Sequence, residues 1–144
     1  AAPEQVFGEP IGTYTDSYTL GVILYELLTG RGPFDTNGAQ RPDAMLLTPE
    51  AERPSAVARR HGRGSGLPRA AWADLDVLCL TALQRDPHRR YRTVEALMRD
   101  VEHFLKGEPL EARPDTVGYR LGKFLRRNRG QVAAAVSEVA RHVA

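Results

Sequence analysis

The sequence predicts a mainly α chain, and three observations carry that prediction. No run shows sustained apolar–polar alternation bounded by turn residues, the mark of a half-buried strand. Apolar residues instead recur three and four positions apart, which is the spacing of one helix face. Leu75, Leu78, Cys79 and Ala82 form one such set, and Leu97, Met98, Val101 and Leu105 another. The run Val22-Ile23-Leu24-Tyr25-Glu26-Leu27-Leu28 is apolar on nearly every face, the pattern of a helix enclosed on all sides. It is shorter than the roughly 20 apolar residues that cross a bilayer.

A helix is expected from about Ser17 to Thr29. Gly30 can take the left-handed conformation that closes it, and Gly32-Pro33 prevents continuation. Phe34 is placed to fold back on the helix end. Residues 35–66 read as loop-rich, with a turn at Asp35-Thr36-Asn37-Gly38 and a short helix near Asp43–Leu47. Arg59 to Gly66 is basic, rich in glycine and expected to be mobile.

Leu67-Pro68 opens the next helix, with proline where its missing N–H costs little. Pro87 stops it. Trp72, Leu75 and Leu78 are assigned to the core. Thr93 is placed as an N-cap and Glu95 in the first turn suits the helix dipole. Gly107 ends that helix, and Pro109 and Pro114 mark the exit from the domain. A further helix starts near Pro114-Asp115-Thr116, with Val117, Leu121, Phe124 and Leu125 on one side. Arg120, Lys123, Arg126, Arg127 and Arg129 crowd the remainder. Gly130 is expected to break it. Val132, Val136, Val139 and Val143 then follow at helical spacing in a short final helix. There is no internal repeat.

Composition narrows the functional classes. A chain of 144 residues is long enough for one domain with a core. Hydrophobic residues at 42% and charged residues at 26% fit a soluble globular chain, and a net charge of +2 implies no global electrostatic partner. Cys79 is the single cysteine, so no disulfide forms within the chain, which suits a reducing compartment. The chain start lacks a basic region followed by an apolar run, so a cytoplasmic location is expected. His61, His88, His103 and His142 are scattered without metal-ligand spacing and are assigned to the surface. Asp74 and Asp76 flank Leu75 and do not face each other on a helix, so they are not an acid–base pair.

Three short motifs carry a family resemblance. Ala2-Pro3-Glu4 resembles the A-P-E motif that closes the activation segment of protein kinases. Asp16-Ser17-Tyr18-Thr19-Leu20-Gly21 resembles the start of the large central helix in the kinase C-terminal lobe. Asp86-Pro87-His88-Arg89-Arg90-Tyr91 resembles the later D-P-x-x-R motif of that lobe. Order and spacing together make the signal; each motif alone is weak. The resemblance covers residues 1 to about 106 and points to a bacterial-type serine/threonine protein kinase. It divides the chain into a partial kinase domain (1–106), a basic juxtamembrane-like linker (107–130) and an Ala/Val-rich terminal segment (131–144).

The resemblance implies structural roles for four residues. Glu4 would pair with Arg90, since a guanidinium offers a planar fork that a carboxylate meets with two parallel bonds; a solvated Glu4 is the alternative. Asp16 would accept backbone N–H bonds from the catalytic loop, or act as an ordinary N-cap aspartate. Ser17 stands where the family has an apolar residue. Gly21 would allow close backbone approach, which offsets the roughly 1 kcal/mol that glycine costs inside a helix.

The chain opens at Ala1 with no initiator methionine. It contains no G-x-G-x-x-G loop, strand lysine, H-R-D or D-F-G, the parts that bind ATP phosphates, hold Mg2+ and position the substrate hydroxyl. It is therefore read as the lower half of a kinase domain, with no catalytic, cofactor-binding or metal residue of its own. The intact parent would use ATP and Mg2+, and its partners would be the remaining N-terminal portion and a protein substrate. A non-catalytic helical scaffold derived from such a lobe is the rival reading. The cations Arg120, Lys123, Arg126, Arg127 and Arg129 admit a solvated helix face or a tether to an anionic membrane surface. Nucleic-acid binding is disfavoured, because no reading motif or aromatic platform accompanies them.

Overall fold

The structure, a computed structural model, describes residue 2 and residues 13–34, 50–64, 66–113 and 117–143. Among these residues there are six α-helices and one 3-10 turn, and no strand. The helices are α1 (Thr13–Thr29), α2 (Pro54–Arg60), α3 (Arg69–Ala82), α4 (Val94–Lys106), α5 (Val117–Arg127) and α6 (Arg129–Val143). The expected turn at 35–38 and helix at 43–47 lie outside the described residues.

Helix α1 is the central rod, and it begins a turn before Ser17. The Thr13 hydroxyl donates to the Arg92 carbonyl at 2.8 Å, tying this first turn to the approach of α4. Tyr18, Gly21, Tyr25 and Thr29 follow one another three or four residues apart and form the buried stripe. The opposite side is open: Ile23 is 47% and Leu27 is 73% exposed. The expectation of burial on every face is thus corrected. Helices α2, α3 and α4 all lie against α1, yet they leave that side uncovered. Gly30 closes the helix at φ +74°, and Phe34 packs back on the core beside it.

Helix α2 was not evident from local signals. Pro54 sits in its first turn, and the backbone N–H of Ser55 is capped by Asp76 from α3 at 2.8 Å. Helix α3 buries Leu75, Leu78, Cys79 and Ala82, the set the spacing placed on one face. It ends well before Pro87, which opens a 3-10 turn (Pro87–Arg89) instead. Helix α4 has the two expected ends. The Thr93 hydroxyl accepts the Ala96 N–H at 3.1 Å, and Gly107 closes the helix at φ +71°. Its buried side is centred on Leu97 and Asp100, while Met98 and Leu105 face outward, contrary to the expected face.

Two apolar clusters fill the interior. One joins Tyr18, Tyr25, Val57, Cys79 and Leu83, with Ala2 against it. The other joins Leu78, Ala82, Tyr91, Leu97 and Leu110. Leu110 carries the packed unit past residue 106. The break between the last two helices is a turn at Asn128, whose side-chain amide donates to the Phe124 carbonyl at 3.0 Å; Gly130 lies inside α6. Among the described residues no helix is long and apolar enough to cross a membrane.

Candidate functional site

The chemistry-bearing side chains gather at three buried polar nodes. The first is Arg90, which is 3% exposed. Its Nε donates to the Gln84 carbonyl at 3.0 Å and its Nη1 to the Tyr14 carbonyl at 2.9 Å. Its guanidinium carbon lies 4.9 Å from the centre of the Tyr18 ring. The flat fork therefore joins the first turn of α1 to the loop at 84–91, and an aromatic face offsets part of its lost hydration. Glu4, the partner expected for it, lies outside the described residues.

Gly21 lies at the crossing of α1 and α3. A Cβ there would meet the Cβ of Ala82 at 2.6 Å, well inside contact distance. Asp16 is exposed in the first turn of α1, where the helix dipole favours a carboxylate. Ser17 is fully buried, and its hydroxyl has no hydrogen-bond partner among the described residues.

The second node is Asp74, with no exposed surface. It accepts from Arg113 Nη1 at 2.7 Å and from Lys123 Nζ. Lys123 is 8% exposed, so this member of the basic tail points inward rather than toward a membrane surface. Arg127 stays exposed, with Nη1 3.8 Å from Glu108 Oε1. The third node is Asp100, also fully buried. It accepts the Tyr91 hydroxyl at 2.7 Å and the backbone N–H groups of Glu111 and Ala112 at 2.6 and 3.0 Å. His103 Nδ1 lies 3.3 Å from the same carboxylate, so this histidine is half-buried and not a surface residue. Sequence reasoning missed both aspartates as anchors. A buried-facing carboxylate on an otherwise apolar helix side was the available signal.

Three buried titratable groups hold their protons tightly. Burial, then the charge of Asp76, pushes the Cys79 thiol up to about 12, the reverse of an activated nucleophile. Burial, then Glu52, pushes the Tyr25 phenol up to about 12. Burial and the bond to Asp100 hold the Tyr91 phenol far above its ordinary range. Among the described residues no group of His, Cys, Asp or Glu has the spacing to hold a metal ion. Trp72, assigned to the core from sequence, stands half-buried at the wall of a surface cleft.

Known proteins match this chain over most of its length. It is 34% identical over 116 residues to the serine/threonine-protein kinase PknB of Mycobacterium tuberculosis, a match covering 77% of this chain. The chain belongs to the bacterial serine/threonine protein kinases. PknD of Chlamydia caviae is 35% identical over 108 residues, and a probable serine/threonine-protein kinase of Streptomyces coelicolor is 32% identical over 116. The aligned parts span 16%, 10% and 15% of those kinases' own lengths. No family model matches the chain. The all-helical arrangement of the described residues is that of the kinase C-terminal lobe, with α1 as its central helix.

Proposed function

We propose that this chain is the helical platform of a serine/threonine protein kinase. The intact protein would transfer the γ-phosphoryl group of ATP to protein hydroxyls, and this chain alone would not. The observation that carries the reading is the Arg90 node. It links the two segments that bear kinase motifs, 14–21 and 84–91, through the Tyr14 and Gln84 carbonyls and the Tyr18 ring. A fixed platform of this kind orients the loops that hold ATP, Mg2+ and the base, since phosphoryl transfer rests on positioning and charge stabilisation. The uncovered side of α1, with Ile23 and Leu27, is the face that the rest of the kinase domain would cover.

Two measurements test this. Purified chain given Mg2+ and labelled ATP with a protein substrate transfers no phosphate above background; transfer that falls on substitution within the chain overturns the reading. Genomic sequence upstream of Ala1 encodes H-R-D and D-F-G in frame; a start codon at that point favours the non-catalytic scaffold instead.

A second reading attaches to α5. Leu121 and Phe124 are exposed beside Arg126 and Arg129, the composition of a helix that rests on an anionic lipid surface. Sedimentation with anionic liposomes, lost at high salt, is the expected result. Salt-insensitive sedimentation, or none, removes it.

A further inference from the structure

A cleft of about 350 Å3 opens between the end of α2, the loop that follows and the start of α3. Arg59, Arg63 and Arg69 line it, together with Leu67 and Trp72. Elsewhere Arg60, Arg99, Arg113 and Arg127 each have a carboxylate within ion-pair range. These three have none among the described residues, so the lining of the recess carries three cations and no carboxylate. The carboxylate behind the wall, Asp76, is already committed: its two oxygens accept the Ser55 N–H at 2.8 Å and the Ser55 hydroxyl at 2.6 Å.

The walls are built rather than incidental. A Cβ on Gly64 would meet the Trp72 ring at 3.0 Å, so the loop backbone lies directly on the indole. The indole Nε1–H points to the Gly64 carbonyl at 3.4 Å. The Arg63 guanidinium lies against Gly30 at the end of α1, so its base in the cleft wall is braced by a second helix.

We propose that this cleft binds a phosphorylated serine or threonine side chain on a peptide. A phosphate monoester carries about −1.5 to −2 charges and three acceptor oxygens, which three arginine forks can share. A carboxylate would leave most of that positive charge uncompensated. The volume is near the low end of ligand sites, enough for one modified side chain with its flanking backbone. Leu67 and Trp72 offer the apolar surface for that neighbour. A lipid surface is met by an exposed stripe, and a recess between two helix ends meets a single projecting group. The source of the ligand rests on the kinase reading, because phosphoserine and phosphothreonine are what such an enzyme makes; the pocket itself does not.

Trp72 is the only tryptophan in the chain, so its fluorescence reports on the cleft directly. The full chain is titrated with a short alanine peptide carrying one phosphothreonine, with the same peptide unphosphorylated, with inorganic phosphate, and with phosphatidylserine vesicles. The phosphopeptide is expected to bind about tenfold or more tighter than either the unphosphorylated peptide or free phosphate, and more weakly as salt is raised. Arg69→Gln and the triple variant Arg59→Gln, Arg63→Gln, Arg69→Gln are expected to lose that binding with unchanged circular dichroism, since all three side chains are exposed. Equal response to both peptides, free phosphate binding as well as the phosphopeptide, a response to vesicles alone, or unchanged binding by the triple variant each overturns the proposal. Failure of the kinase reading shows in the upstream coding sequence and leaves this titration untouched.

Discussion

At Arg90 the shape of the side chain matters as much as its charge. Its nitrogens reach the Gln84 and Tyr14 carbonyls in one plane, under the Tyr18 ring. Lysine would keep the charge and lose the fork. Arg90→Lys is therefore expected to lower stability by about 2–4 kcal/mol, read from the urea midpoint. Gly21→Ala tests the opposite kind of constraint. The added methyl meets Ala82 at 2.6 Å, and overpacking costs about 1–3 kcal/mol. Alanine recovers roughly 1 kcal/mol of helix propensity, so the net effect is a modest loss of stability; a gain would mean that α1 and α3 do not cross so closely. The motif alone marked Arg90 and Gly21 in the sequence. The carbonyls that Arg90 binds were not legible, because a backbone acceptor leaves no trace in residue type.

The helices divide by how locally their signals are written. The buried face of α3 follows from four residues at fixed spacing, and the ends of α4 from Thr93 and Gly107 within one turn of each boundary. Helix α2 has only seven residues, and its N-terminal cap comes from Asp76, 21 positions away. Within its own span only Pro54 at the start marks it, and seven residues are too few to show a repeating face. The tail shows the same effect. By spacing, Lys123 belongs with its neighbouring cations, whereas its partner Asp74 is 49 positions distant. Removing one member of a buried pair typically costs about 3–5 kcal/mol. Asp74→Asn is accordingly expected to speed amide hydrogen exchange across residues 121–127 far more than across α1. Lys123→Met should produce a similar loosening of α5, and the double variant less than the sum of the two, since both remove one interaction.

For the whole molecule, the buried acids set a limit at high pH. Cys79 titrates ordinarily at 9.0 and Tyr25 at 10.0, and both are pushed up to about 12 in the folded chain. Above pH 9 the unfolded chain sheds protons that the folded chain retains. This contribution is complete below pH 9 and is lost as pH climbs toward 12. Denaturant midpoints should fall across that window, and Cys79→Ala should flatten part of the fall. The open side of α1 sets a second limit. Leu27, 73% exposed beside Ile23, invites self-association. Leu27→Glu is expected to reduce concentration-dependent light scattering with little change in melting temperature. The inward-turned Lys123 bears on mechanics as well. A pull on α6 travels through α5 and leaves it sideways at two points, first at Arg127 into Glu108 and then at Lys123 into Asp74, in the middle of α3. The ammonium works as a guy line on a mast does: tugging the top hands part of the tension to an anchor set off to one side.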